Sequence, residues 1–254
     1  MKKFLKITVL CVIFSLLMIT TAAAEEDSKK VIVKELKPQN DSVKIFDKVN
    51  YTEDEKSMHV RIEGSKKADG VTKAYHLKLN PKEGTYLITE KLPKEMDILE
   101  TKLSRNNNTN SNNTIEPMST TYYYAWVQTV TDDLAGEDLC KTKVRLDWVD
   151  YGSTIGFYDS DLDTWAANPS QFNTHWYLEE SYLDDPYLYY DDQKLLQDGS
   201  AEYYNWDFMD EDEKTEVSHW IEITAQNDGT YDYIADWGAR GEYSYLLDLD
   251  VYTN

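Results

Sequence analysis

Apolar and polar residues alternate through the C-terminal half of this 254-residue chain, and a two-residue period confines it to β-structure. Val217, His219, Ile221 and Ile223 fall on one face of a run, with Ser218, Trp220, Glu222 and Thr224 on the other. Asn227-Asp228-Gly229 then offers a turn that tolerates positive φ, and Tyr231, Tyr233, Ala235 and Trp237 return in phase. Val144, Leu146 and Trp148 alternate with Arg145 and Asp147, and Tyr243, Tyr245, Leu247, Leu249 and Val251 form a last such run. Further strands are predicted over Tyr122 to Thr131, Thr154 to Tyr158, His175 to Tyr182 and Glu202 to Phe208. About eight strands without intervening helices predict an antiparallel β-sandwich or jelly roll.

Charge divides the chain. Residues 25–118 hold 17 Lys and Arg against 17 Asp and Glu, whereas 119–254 hold 6 against 30, a net of −24. All 7 Trp and 17 of the 20 Tyr lie in the second part. Between them, Arg105 to Thr114 is a polar, Asn-rich run with nothing to bury, the composition of a linker. Four segments follow: 1–24, a lysine-rich region at 25–104, a linker at 105–118 and an acidic, aromatic-rich domain at 119–254. The lysine-rich region also reads as mainly β. Val31 to Val33 and Met58 to Glu63 look like strands, and Ala74 to Leu79 and Thr85 to Ile88 flank the loop Asn80-Pro81-Lys82-Glu83-Gly84. Pro93 to Leu99 suits one short helix. Such a region is either a propeptide shielding the acidic domain or a small β-rich domain of its own.

The first segment has the pattern of a cleavable signal peptide. Lys2, Lys3 and Lys6 precede the uncharged apolar run Ile7 to Ile19, too short to span a bilayer, and Ala22-Ala23-Ala24 supplies small residues for cleavage. Secretion is therefore expected, with no membrane insertion once the signal is removed. Cys11 would leave with it, so Cys140 would be the one thiol of the mature chain and no internal disulfide could form. The acidic field argues against nucleic acid as a partner, which needs a basic footprint.

Signatures of common catalytic sites are missing: no G-x-S-x-G, H-E-x-x-H, C-x-x-C or phosphate-cradling glycine loop occurs. No cofactor is expected, with Ca²⁺ as the exception to weigh. Asp159-Ser160-Asp161-Leu162-Asp163 matches the first half of an EF-hand loop, but Thr164 stands where glycine is needed and Ser170 where glutamate is. An EF-hand is excluded. A looser Ca²⁺ site on Asp159, Asp161 and Asp163 stays open beside the plainer reading of a solvated acidic surface.

Aromatic residues discriminate better when read by face. Trp148, Trp206 and Trp237 fall on apolar faces and are expected in the core, whereas Trp220 shares its face with polar residues. Trp165 lies in an expected loop, Tyr187, Tyr189 and Tyr190 follow Pro186 in another, and His175 follows a turn-rich stretch. Exposed rings beside carboxylates and amides suit stacking on sugar rings. These six residues make a non-catalytic protein binding a cell-surface glycan the first reading. A hydrolase made as a proform, with carboxylates as acid and base near His175, is the second. An extracellular protein antagonist or assembly component is the third.

Overall fold

Alternation becomes strand pairing in the computed structural model of the chain, in which residues 32–39, 45–54, 56–92, 99, 120–171, 173–209 and 213–254 are described. The lysine-rich region supplies β1 (Ile32–Glu35), β2 (Lys37–Pro38), β3 (Lys48–Glu53), β4 (Ser57–Lys67), β5 (Lys73–Asn80) and β6 (Thr85–Lys91). The acidic region supplies β7 (Thr121–Asp133), β8 (Asp138–Asp150), β9 (Ile155–Ala166), β10 (Trp176–Leu183) and β11 (Tyr187–Tyr189). It continues with β12 (Lys194–Asn205), β13 (Thr215–Gln226), β14 (Thr230–Arg240) and β15 (Leu247–Thr253). Between β13 and β14, Gly229 has φ +78°, and a Cβ there would lie 2.5 Å from the Tyr123 ring. Conformation and space both demand glycine.

The strands form two sheets. One runs β1-β3-β4-β14-β13-β12-β10, with β11 also on β12; the other runs β2-β6-β5-β15-β7-β8-β9. All pairs are antiparallel except β2 with β6. The protein is a mainly β, two-sheet sandwich, as the alternation predicts. Its core lies between the sheets, where Val60, Ile62, Val217, Ile221 and Trp237 from one meet Leu77, Val127, Val144, Leu146 and Trp148 from the other. Each fully buried large aliphatic side chain contributes about 1.5–3 kcal/mol.

The chemical boundary does not divide the sheets. β4 pairs with β14 over eleven positions, from Ser57↔Arg240 to Lys67↔Thr230, and β5 pairs with β15. Residues Ile32 to Asn254 form one compact unit. The expected signal peptide at 1–24, the expected linker at 105–118 and most of the helix expected over Pro93 to Leu99 lie outside the described residues.

A polar chain crosses the apolar interior. Trp237 Nε1–H donates to Thr131 Oγ1 at 2.8 Å, and His219 Nε2 lies 2.8 Å from the same oxygen. His219 Nδ1 lies 2.8 Å from Thr142 Oγ1, which is 2.8 Å from Tyr203 Oη, and that hydroxyl donates to Lys141 O at 2.5 Å. Because indole only donates and a carbonyl only accepts, one proton arrangement satisfies every member. Thr131 donates to Nε2, Nδ1–H donates to Thr142, and Thr142 donates to Tyr203. His219 is thus a neutral core histidine, and burial pushes its pKa down to about 3.

Three boundaries differ from the sequence reading. Ser244–Leu246 is a 3-10 turn, so β15 begins at Leu247 and Tyr245 stays exposed. β9 continues to Ala166, so Trp165 sits on a strand instead of a loop. β12 stops at Asn205, whose Oδ1 accepts the Asp207 N–H at 2.7 Å and turns the chain. The face expected for Trp206 is also inverted: Tyr203 is the buried ring of β12, Tyr204 in phase with Trp206 faces outward, and Trp206 is 54% exposed.

Candidate functional site

The registers of five strands line up three rows of side chains on the outer face of the eight-stranded sheet. The first crosses Tyr182, Ser200, Trp220, Asp236 and Arg61. The second crosses Glu180, Glu202, Ser218, Gly238 and His59, and the third Tyr177, Tyr204, Glu216, Arg240 and Ser57. Small residues in the middle row leave a trough of about 350 Å³ across the strands. Its floor depends on Gly238, where a Cβ would meet Ser218 Oγ at 2.5 Å and His59 at 3.4 Å.

Charged side chains line the trough (His59, Glu179, Glu202, Glu216 and Arg240), and rings stand in the rows to either side. Trp220 is half-buried, its Nε1–H donating to Asp198 Oδ2 at 3.1 Å and the Arg61 guanidinium lying 5.8 Å from its ring centre. Burial, then the neighbouring Asp184, push the Asp198 carboxyl up. Opposite, Tyr177 stacks on Tyr204 with centroids 5.4 Å apart. Lys214 lies 5.0 Å over Tyr204 and 5.9 Å over Trp206, bonded to Glu216 at 2.7 Å and Glu179 at 3.3 Å. Glu202 stands exposed on the wall. His59 lies 2.6 Å from Asp236, and that hydrogen bond raises its pKa.

The residues singled out in the sequence fall in three places. Trp220, Tyr187 and Tyr189 share this outer face; Tyr187 and Tyr189 lie on β11 and stack at 6.2 Å, while Tyr190 follows, 70% exposed with φ +52°. Trp165 is on the other sheet, opposite Lys141 of β8, whose Nζ lies 5.2 Å from the ring centre. It therefore does not join Trp220 in one surface. His175 is at the end of the sandwich: its Nδ1 is 2.7 Å from Asp207 Oδ2, and its backbone N–H donates to Asp207 Oδ1 at 2.8 Å. Burial raises the Asp207 carboxyl, and the stronger sum of these bonds holds it below its ordinary value. Asp207 also borders a largely apolar cavity of about 520 Å³ between the loops around Leu134, Ser170 and Phe208.

Asp159, Asp161 and Asp163 are alternate residues of β9, so about 6.6 Å separates neighbours along one face. They stand opposite Asp147, Arg145 and Lys143, a charge ladder along the strands. Burial pushes Lys143 down to about 8; its Nζ lies 4.6 Å over Trp126 and donates to Leu99 O at 2.8 Å.

Sequence reasoning missed Tyr177, Tyr204, Glu202, Ser218 and Gly238. Ser218 was legible as an outward residue through its place beside Trp220, but Glu202 shares the phase read as inward, and which residues meet depends on register. No protein-family model, no curated protein and no solved structure matches the chain.

Proposed function

We propose that this is an exported, non-catalytic β-sandwich protein that binds a cell-surface glycan in the trough of its eight-stranded sheet. The observation that carries the reading is the Ser218–Gly238 floor set between Trp220 and the Tyr177–Tyr204 stack. Sugar rings offer C–H faces to aromatic rings and hydroxyls to carboxylates, and Glu202 and Glu216 stand beside these rings. Tyr182 and Tyr187, both over 60% exposed, extend the aromatic surface toward the sheet edge. Export rests on the signal-like pattern of residues 1–24.

Retention of purified protein on cell walls and insoluble polysaccharides tests this. A Trp220→Ala/Tyr204→Ala variant should lose about 2 kcal/mol of binding, roughly thirtyfold in Kd. Equal retention of both proteins would overturn the trough, and specific capture of a protein partner without sugar binding would favour an antagonist or assembly component. A second reading, a hydrolase made as a proform, draws on the His175–Asp207 pair beside the cavity. With Nδ1 turned to the carboxylate, Nε2 is left to act as a base. It predicts turnover that rises after cleavage within 105–114; no turnover on a broad substrate panel before or after cutting removes it.

A further inference from the structure

One cluster on the outer face of the seven-stranded sheet buries two carboxylates against a single lysine. Asp250 of β15 and Asp132 of β7 are 0% and 1% exposed, at the centre of the sheet. His76 of β5 lies beside them, its Nδ1 2.7 Å from Asp250 Oδ1, and its side chain is 26% exposed. The donor atoms of these three residues lie within 4.8 Å of one another. Among the described residues one ammonium reaches them: Lys91 of β6 bonds Asp250 Oδ2 and lies 3.5 Å from Asp132 Oδ2. Asp132 Oδ1 is buried and has no hydrogen-bond donor. The further group facing Asp132 is another carboxylate, Asp138, which adds negative charge, can hydrogen-bond to it only through a shared proton, and is itself 2.5 Å from Lys141 Nζ. Burial, then Asp250 and Asp138, push the Asp132 carboxyl up to about 9. A buried carboxylate oxygen without a donor is costly, and a proton or a cation relieves it.

We propose that His76, Asp132 and Asp250 are the protein ligands of a divalent first-row metal ion, Zn²⁺ foremost, independent of the glycan trough. One imidazole with two carboxylates is a mixed nitrogen–oxygen set, which suits Zn²⁺ or Mn²⁺, whereas Ca²⁺ takes six to eight oxygens. Three protein ligands leave a fourth position, and the partly exposed His76 opens it toward solvent. Lys91, 38% exposed at its side chain, holds part of the counter-charge without the ion and can swing its flexible stem outward as the ion enters. The ligands come from both chemical regions, so the ion would tie β5 to β15 and β7 across their boundary.

Calorimetric titration of the full chain, stripped with chelator, tests the site. Zn²⁺ should bind with one equivalent and raise the Tm by several degrees, with Ca²⁺ and Mg²⁺ much weaker. His76→Gln, at a partly exposed position that should fold, should weaken Zn²⁺ at least about tenfold. Lys91→Met, which removes the competing ammonium, should tighten it. No Zn²⁺ binding by the wild type would overturn the proposal and leave a proton on Asp132 as the relief. Equal affinity in wild type and His76→Gln would place the ion elsewhere and overturn it equally.

Discussion

The lysine-rich and acidic regions differ in almost every chemical respect and yet share two sheets. Residues 119–254 carry most of the aromatic residues and a net charge of −24; residues 32–92 bring six strands and are close to neutral, with 12 Lys and Arg against 10 Asp and Glu. At the seam, Arg61 of β4 lies 3.3 Å from Asp236 of β14, and Ser65 donates to Asp232 at 2.8 Å. Inside the acidic region the sheets are joined differently, by apolar contacts and the polar chain through His219. Composition thus does not divide the fold: both regions supply strands to each sheet, and Ser57, His59 and Arg61 of β4 complete the outer-face rows begun by the acidic strands.

Removing residues 32–92 should break this arrangement most severely. β14 and β15 would each lose the neighbour on one side, and Val60, Ile62 and Leu77 would leave the core. The acidic region by itself should show no cooperative thermal transition by circular dichroism. Cutting between 105 and 114 should instead leave two fragments that co-elute in gel filtration. A free acidic fragment that melts cooperatively would restore the propeptide reading.

Histidine titration separates seam from interior by sign. His219 has a folded pKa near 3, below its unfolded value, so the unfolded chain takes up the proton first as pH falls. Stability is then lost below about pH 6.5, on the order of 1.4 kcal/mol per pH unit from this residue, until the folded value is reached. His219→Gln should be less stable at pH 7, yet its urea midpoint should decline less steeply between pH 6.5 and 4.5. His59 works oppositely and more weakly. Its raised pKa adds stability that is full below about pH 6.5 and lost as pH rises through the folded value. Being half-exposed, it should contribute less than about 1 kcal/mol. His59→Gln should cost stability at pH 5.5 and almost none at pH 9, and equal costs at both would deny the pairing with Asp236.

The strands were legible because each carries its own alternation, as in Val217 to Ala225. Trp220 could be placed on an outer face for the same reason. The trough could not, because Ser218, Gly238 and Glu202 meet only through the registers of three strands. Trp206 misled because the run from Glu202 to Phe208 carries rings in both phases: Tyr203 is the inward one at 1% exposure, and Tyr204, in phase with Trp206, faces outward. Shared sheets were hidden by composition, which reports solvation and charge but not which backbone a strand pairs with.

The hydrogen-bonded chain from Trp237 to Lys141 has a direction. With a pure donor at one end and a pure acceptor at the other, each hydroxyl between them, and the imidazole tautomer, is oriented by its neighbours. No link can reverse unless all do, so the interior holds a single sense of polarity running from β14 to β8. Replacing the indole would erase that sense, and residues in both sheets would acquire a second way to point.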